Sequence, residues 1–166
     1  MPPVTTVKHA LEYKNQLQKL EPNVEFLMSL YLHPSIKPET IIQAKEAGIM
    51  GVKSYPAGVT TNSSSGVIDY ESFYPVFAEM ERQDIILNLH GETPPAQGSD
   101  VTVVNAEELF LPNLLELHKR FPKLRIILEH CTTAAAIKVV EQCGPSVAAT
   151  ITGESYATTI SSPYRS

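Results

Sequence analysis

Three apolar runs of this chain each end in a side chain able to bind a metal or attack a carbonyl. They are Lys53 in Met50-Gly-Val-Lys-Ser-Tyr-Pro56, His90 in Ile85-Ile-Leu-Asn-Leu-His90, and His130 in Leu124-Arg-Ile-Ile-Leu-Glu-His130. A histidine closing an apolar strand is either a metal ligand or a hydrogen-bonded rim residue, and two of them on neighbouring strands suit Zn²⁺. A lysine in an otherwise apolar strand costs free energy unless its ammonium is paired, neutralised or extended to the rim. Burial also lowers the amine's pKa and exposes a nucleophile. Such an amine can form a Schiff base with a carbonyl substrate. Alternatively it takes up CO₂ to become a carbamate whose two oxygens bridge metal ions about 3.5 to 4 Å apart. Of these uses, the carbamate also employs the histidines.

The elements that must position these groups follow from periodicity and turn chemistry. Apolar positions at helical spacing predict helices over Thr6 to Leu20, Pro38 to Ala47, Tyr70 to Arg82, Asn105 to Arg120 and Thr133 to Gln142. Asn105 with Glu108 predicts a capping box, and Pro112 predicts a kink or an end to the first turn of its helix. Between the helices, apolar runs predict strands at Val24 to Leu32, Met50 to Tyr55, Ile85 to His90, Leu124 to His130 and Val147 to Thr152. This is the rhythm of repeated βα units with right-handed crossovers, hence an α/β fold with a parallel sheet. In such a sheet the carboxyl ends of the strands open onto one face, where Lys53, His90 and His130 converge. The polar segment between Pro56 and Val67 reads as a surface loop able to close over a ligand. Residues 153–166 carry no buried stripe and read as a disordered tail, leaving residues 1–152 as the domain.

Composition narrows the classes. With 166 residues, 43% hydrophobic and a formal net charge of −5, the chain can build one core but carries no basic footprint for nucleic acid. No apolar run reaches a membrane span and the amino terminus lacks a signal pattern, so the expected location is cytoplasmic, with no membrane partner. Cys131 and Cys143 are read as two reduced core-edge thiols. His9, His33 and His118 are read as solvated.

The stretches Gly51-Val-Lys-Ser-Tyr-Pro-Ala-Gly-Val-Thr-Thr-Asn-Ser63, Leu87-Asn-Leu-His-Gly-Glu92 and Leu128-Glu-His-Cys-Thr-Thr133 resemble dihydroorotase, of the amidohydrolase superfamily, in its shorter single-function class. The resemblance extends from Pro2 to Thr152. It implies a partial (β/α)8 TIM barrel, with about five parallel strands corresponding to barrel strands three to seven. It also implies a zinc-dependent cyclic amidase of pyrimidine biosynthesis that interconverts dihydroorotate and carbamoyl aspartate. Zinc would number two per site in the intact family, with Lys53 as the carbamate bridge and catalytic group. Lys53, His90 and His130 would be metal ligands, Thr60 and Thr61 would bind substrate from the mobile loop, and the intact family would be a homodimer.

The chain departs from the family pattern: it contains no His-x-His pair, no aspartate in the position of the eighth strand, and no arginine and asparagine clamp for the substrate carboxylate. The departures predict a chain truncated at both ends and inactive alone, with exposed sheet edges and poor solubility or marginal stability. Two other readings share these residues. One is a hydantoinase-like or allantoinase-like amidohydrolase, and the other is a non-catalytic chain that pairs with a full-length relative. Glu92 and Glu129 flank the histidines. Strand alternation predicts that Glu129 points away from the His130 side, as a solvated or ion-paired carboxylate.

Overall fold

A computed structural model describes residues 3–58, 66–95 and 98–151. Five parallel strands form a single sheet in strictly sequential order: β1 (Ser29–Tyr31), β2 (Gly51–Ser54), β3 (Ile86–His90), β4 (Ile126–Glu129) and β5 (Val147–Ala149). Between and before them lie α1 (Val7–Leu20), α2 (Pro38–Glu46), α3 (Tyr74–Gln83), α4 (Ala106–Arg120) and α5 (Ala134–Cys143). Among the described residues no helix is long and apolar enough to cross a membrane.

Alternation along the strands divides the sheet into two unlike faces. Leu30, Val52, Leu87, Leu89, Ile126 and Leu128 point to one face and are essentially buried. There they meet Ile41 of α2, Phe77 and Met80 of α3, Phe110 and Leu114 of α4, and Ala136 of α5, in one continuous core. Burying each such large side chain contributes about 1.5–3 kcal/mol, so the helix-covered face carries most of the fold's stability. The opposite, concave face holds Tyr31, Lys53, Asn88 and Ile127 in one row across β1 to β4. Gly51 makes room in that row, because a Cβ there would lie 2.9 Å from the Asn88 side-chain oxygen. Leu27 and Met50, at the amino-terminal end of this face, are 65% and 43% exposed.

Helix ends follow their local chemistry. The Thr6 hydroxyl accepts from the His9 amide, and the Thr133 hydroxyl accepts from the Ala136 amide. Gly48 and Gly144, just past α2 and α5, take the positive φ that their positions predict. Three expectations need correction. The Asn105 side chain does not cap α4; its oxygen accepts from the Thr102 amide and hydroxyl, closing the preceding turn instead. Pro112 does not end the helix, which runs through it from Ala106 to Arg120. The helix predicted over Tyr70 to Arg82 begins as a 3₁₀ turn, Glu71–Phe73.

The strands are also shorter than their apolar runs. Val24 to Met28 lies outside the ladder, and β1 is an edge strand whose Tyr31 amide donates to the carbonyl of Val4. His9, His33 and His118 are half-buried, not solvated: His33 bonds Ser35, and Nδ1 of His118 is buried. Cys131 and Cys143 are free and buried, as their burial among apolar neighbours predicts. The predicted tail from residue 153 lies outside the described residues.

Candidate metal centre at the carboxyl end of the sheet

Each candidate side chain leaves its strand for a separate local reason. Lys53 sits inside β2 on the concave face, with Tyr55 two residues on. His90 closes β3 and is followed by Gly91, where a Cβ would fall 2.4 Å from Leu128 Cδ1. A larger residue there would have to push the Leu128 side chain aside. His130 follows β4 with φ of +48°, in the left-handed region that costs a non-glycine residue roughly 1–2 kcal/mol. Its amide donates to Thr150 Oγ1 at 2.8 Å, and the amide of Cys131 donates to the Thr150 carbonyl at 2.8 Å. The consequence is proximity: the His90 and His130 rings lie 4.4 Å apart, inclined at 64°.

Lys53 is paired with the carboxylate of Glu129, whose other oxygen accepts from Asn88 Nδ2 at 2.8 Å. The ammonium also sits 4.7 Å above the Tyr55 ring, which is stacked on Tyr31 and lies 5.5 Å from His90. Only 14% of the Lys53 side chain is exposed, and burial lowers its pKa even though Glu129 pulls the other way. Burial, then the neighbouring His90 and Lys53, also lower the pKa of His130. Near neutral pH it is therefore an uncharged imidazole, the form that binds metals.

His90 supplies the test of fit. Both its ring nitrogens are buried without a hydrogen-bond partner. Glu92 Oε2 stands 3.4 Å from Nε2 without hydrogen-bond geometry, although that approach holds the Glu92 carboxyl below its usual range. A buried ring with two unmet nitrogens is costly unless something else meets one of them. Two imidazoles at one strand end, that of His130 held neutral by burial, and an amine of lowered pKa fit a zinc-type ion, with Lys53 adding oxygen donors only after it gains a carboxylate. Among the described residues, no three His, Cys, Asp or Glu side chains form a metal-ligating group by themselves.

The structure thus brings Lys53, His90 and His130 to one end of the sheet. Thr60 and Thr61 lie outside the described residues. Sequence reasoning leaves Glu129 outside the ligand set and does not single out Asn88, Tyr55, Thr150 or Glu107. Two-residue spacing was the available signal for Asn88 and Tyr55, since Asn88 precedes His90 and Tyr55 follows Lys53 by two. Glu129 is ion-paired, one of the two states that strand alternation predicts for it. Alternation does place Glu129 and His130 on opposite sides; the left-handed turn at His130 then swings its ring back over the concave end.

No family model matches the chain. Over 152 residues, 92% of its length, it is 57% identical to a probable dihydroorotase of Schizosaccharomyces pombe. A crystal structure of Saccharomyces cerevisiae dihydroorotase in complex with 5-fluoroorotic acid superposes on 93% of the chain with a TM-score of 0.88 and 48% identity. The chain is homologous to the dihydroorotases. It spans under half of these relatives, 44% of the S. pombe protein and 46% of the S. cerevisiae chain. An L-hydantoinase of Arthrobacter aurescens, 21% identical, covers 89% of the chain at a TM-score of 0.73, while the chain covers 36% of that protein; this likeness shows a shared fold alone. The dihydroorotase homologue is accordingly an α/β segment of the amidohydrolase barrel, its five strands forming an arc and not a closed ring.

Proposed function

We propose that this chain carries the central ligands of a dihydroorotase active site, with residues 1–152 as an incomplete barrel domain. On this reading Lys53 is the carbamate bridge, His90 and His130 hold one zinc ion beside it, and Thr60 and Thr61 contact substrate. The juxtaposed imidazoles carry the reading, because two strand-end rings 4.4 Å apart, one with both nitrogens unmet, have little other use. When bound, the zinc ions would polarise the ring amide carbonyl of dihydroorotate and activate water. The chain's own residues prepare the place. Burial keeps the His130 ring neutral, and Tyr55 and Tyr31 wall the lysine from solvent. Glu129 and Asn88 hold the Lys53 side chain across the concave face until the amine loses its proton. The same reading carries the cytoplasmic pyrimidine pathway and a homodimeric whole protein.

The sequence lacks the His-x-His pair and the strand-eight aspartate that the resemblance calls for, so this chain alone holds no full catalytic set. The expected behaviour is zinc uptake that rises with bicarbonate and is lost in Lys53→Met and His130→Ala, without turnover of dihydroorotate. Zinc uptake indifferent to bicarbonate and to both substitutions would overturn the reading. Turnover by the purified chain would overturn the inactivity.

A further inference from the structure

We propose that Thr150, just beyond β5, is a positioning residue that turns the His130 ring towards His90; the proposal rests on the metal-centre reading above. In β4 the side chains of Ile126 and Leu128 enter the core, while Ile127 and Glu129 face the concave side. An undisturbed strand would send His130 after Leu128, towards the helices. A left-handed residue at 130 reverses this, and a histidine does not adopt that conformation without surroundings that impose it.

Those surroundings are specific. Thr150 meets β4 through three bonds: its amide donates to the Leu128 carbonyl at 3.0 Å, its carbonyl accepts from Cys131, and its hydroxyl accepts from His130. Any residue but proline makes the first two. The third needs a side-chain oxygen, because the turned amide of His130 takes a hydroxyl as its acceptor. On the far side, the buried carboxylate of Glu107 accepts from the amides and hydroxyls of Thr132 and Thr133 at 2.6 to 3.2 Å. The segment after His130 is thereby pinned to α4, and Cys131 is packed into the core between the two anchors. Glu107 fixes where the segment goes, whereas Thr150 fixes the peptide that aims the ring.

Thr150→Val keeps the shape and removes the oxygen, and Thr150→Ser restores it. In the full chain, nuclear Overhauser contacts between the His90 and His130 ring protons should be present in the wild type and Thr150→Ser, and lost in Thr150→Val. Zinc affinity, read by chelator competition, should fall about tenfold or more in Thr150→Val and return in Thr150→Ser. If the valine chain does not fold, Thr150→Ala removes the hydroxyl without adding bulk, and the same readouts apply. A valine or alanine variant that melts earlier yet keeps the ring contacts and the zinc affinity would overturn the proposal. A wild type that binds no zinc, together with a valine variant that loses the ring contacts, would sink the metal-centre reading and leave the positioning role standing.

Discussion

The two faces of the sheet are made by the same strands and obey opposite rules. On the helix-covered face the strand residues are enclosed and apolar apart from Ser54, which pairs with the Tyr70 hydroxyl, and neighbouring βα units share one core. On the concave face, Lys53, Asn88 and Glu129 form a polar bridge, partly open to water, with Ile86 and Ile127 each two residues before a member of it on β3 and β4. Stability and chemistry are therefore separable in this molecule: one side can be altered for its reactivity while the other holds the chain folded.

Substitutions can break that contrast. Leu87→Ala or Phe77→Ala, each at a fully enclosed position, should cost about 2–5 kcal/mol in urea unfolding, whereas Ile127→Ala on the concave side should cost less than half as much. Equal costs would erase the distinction. Next in size, Glu107→Ala should lose about 2–3 kcal/mol, because the amides of Thr132 and Thr133 lose a charged acceptor in a part-buried place. The concave bridge should behave differently from both. Lys53→Met alone leaves the Glu129 charge uncompensated and should lower the melting temperature, but Lys53→Met with Glu129→Leu should be neutral or stabilising by about 1–2 kcal/mol. A double variant less stable than the single one would show that the polar bridge supports the fold after all.

The smallest effect concerns alkaline pH. Burial pushes the Cys131 thiol from its usual 9.0, and the Tyr70 phenol from 10.0, up to about 12. The folded state favours the protonated forms, so their stabilising contribution is complete below about pH 9. It falls as pH rises from there towards 12, because the unfolded chain ionises first. Melting temperatures measured between pH 8 and 11 should decline, and less steeply in Cys131→Ala than in the wild type.

Much of the fold was legible in the sequence because each βα unit announces itself locally. Pro38 and Gly48 bracket one helix, and the apolar runs ending at His90 and His130 mark two strands. The strands' limits were overdrawn at Val24 to Met28 because an apolar run suits a strand without showing that one forms: Val24 and Leu27 are exposed, and a strand also needs a partner along its whole length. The convergence of Lys53, His90 and His130 could be read from their common place at strand ends. What held them could not. Thr150 and His130 are 20 residues apart, Glu107 and Thr132 are 25 apart, and nothing in either residue type marks the pairing. A left-handed histidine likewise has no signature, since its cost is met by neighbours in space and not in sequence.

The strand order β1-β2-β3-β4-β5 carries a kinetic consequence. Every ladder joins a strand to the next one made, so no segment waits for a distant partner and each loop closure spans a single crossover. A chain emerging from the ribosome can lay down each unit on the last, growing from one edge as courses are laid on a wall. The fifth course brings Thr150 beside His130, so the histidine pair is completed only once β5 is in place.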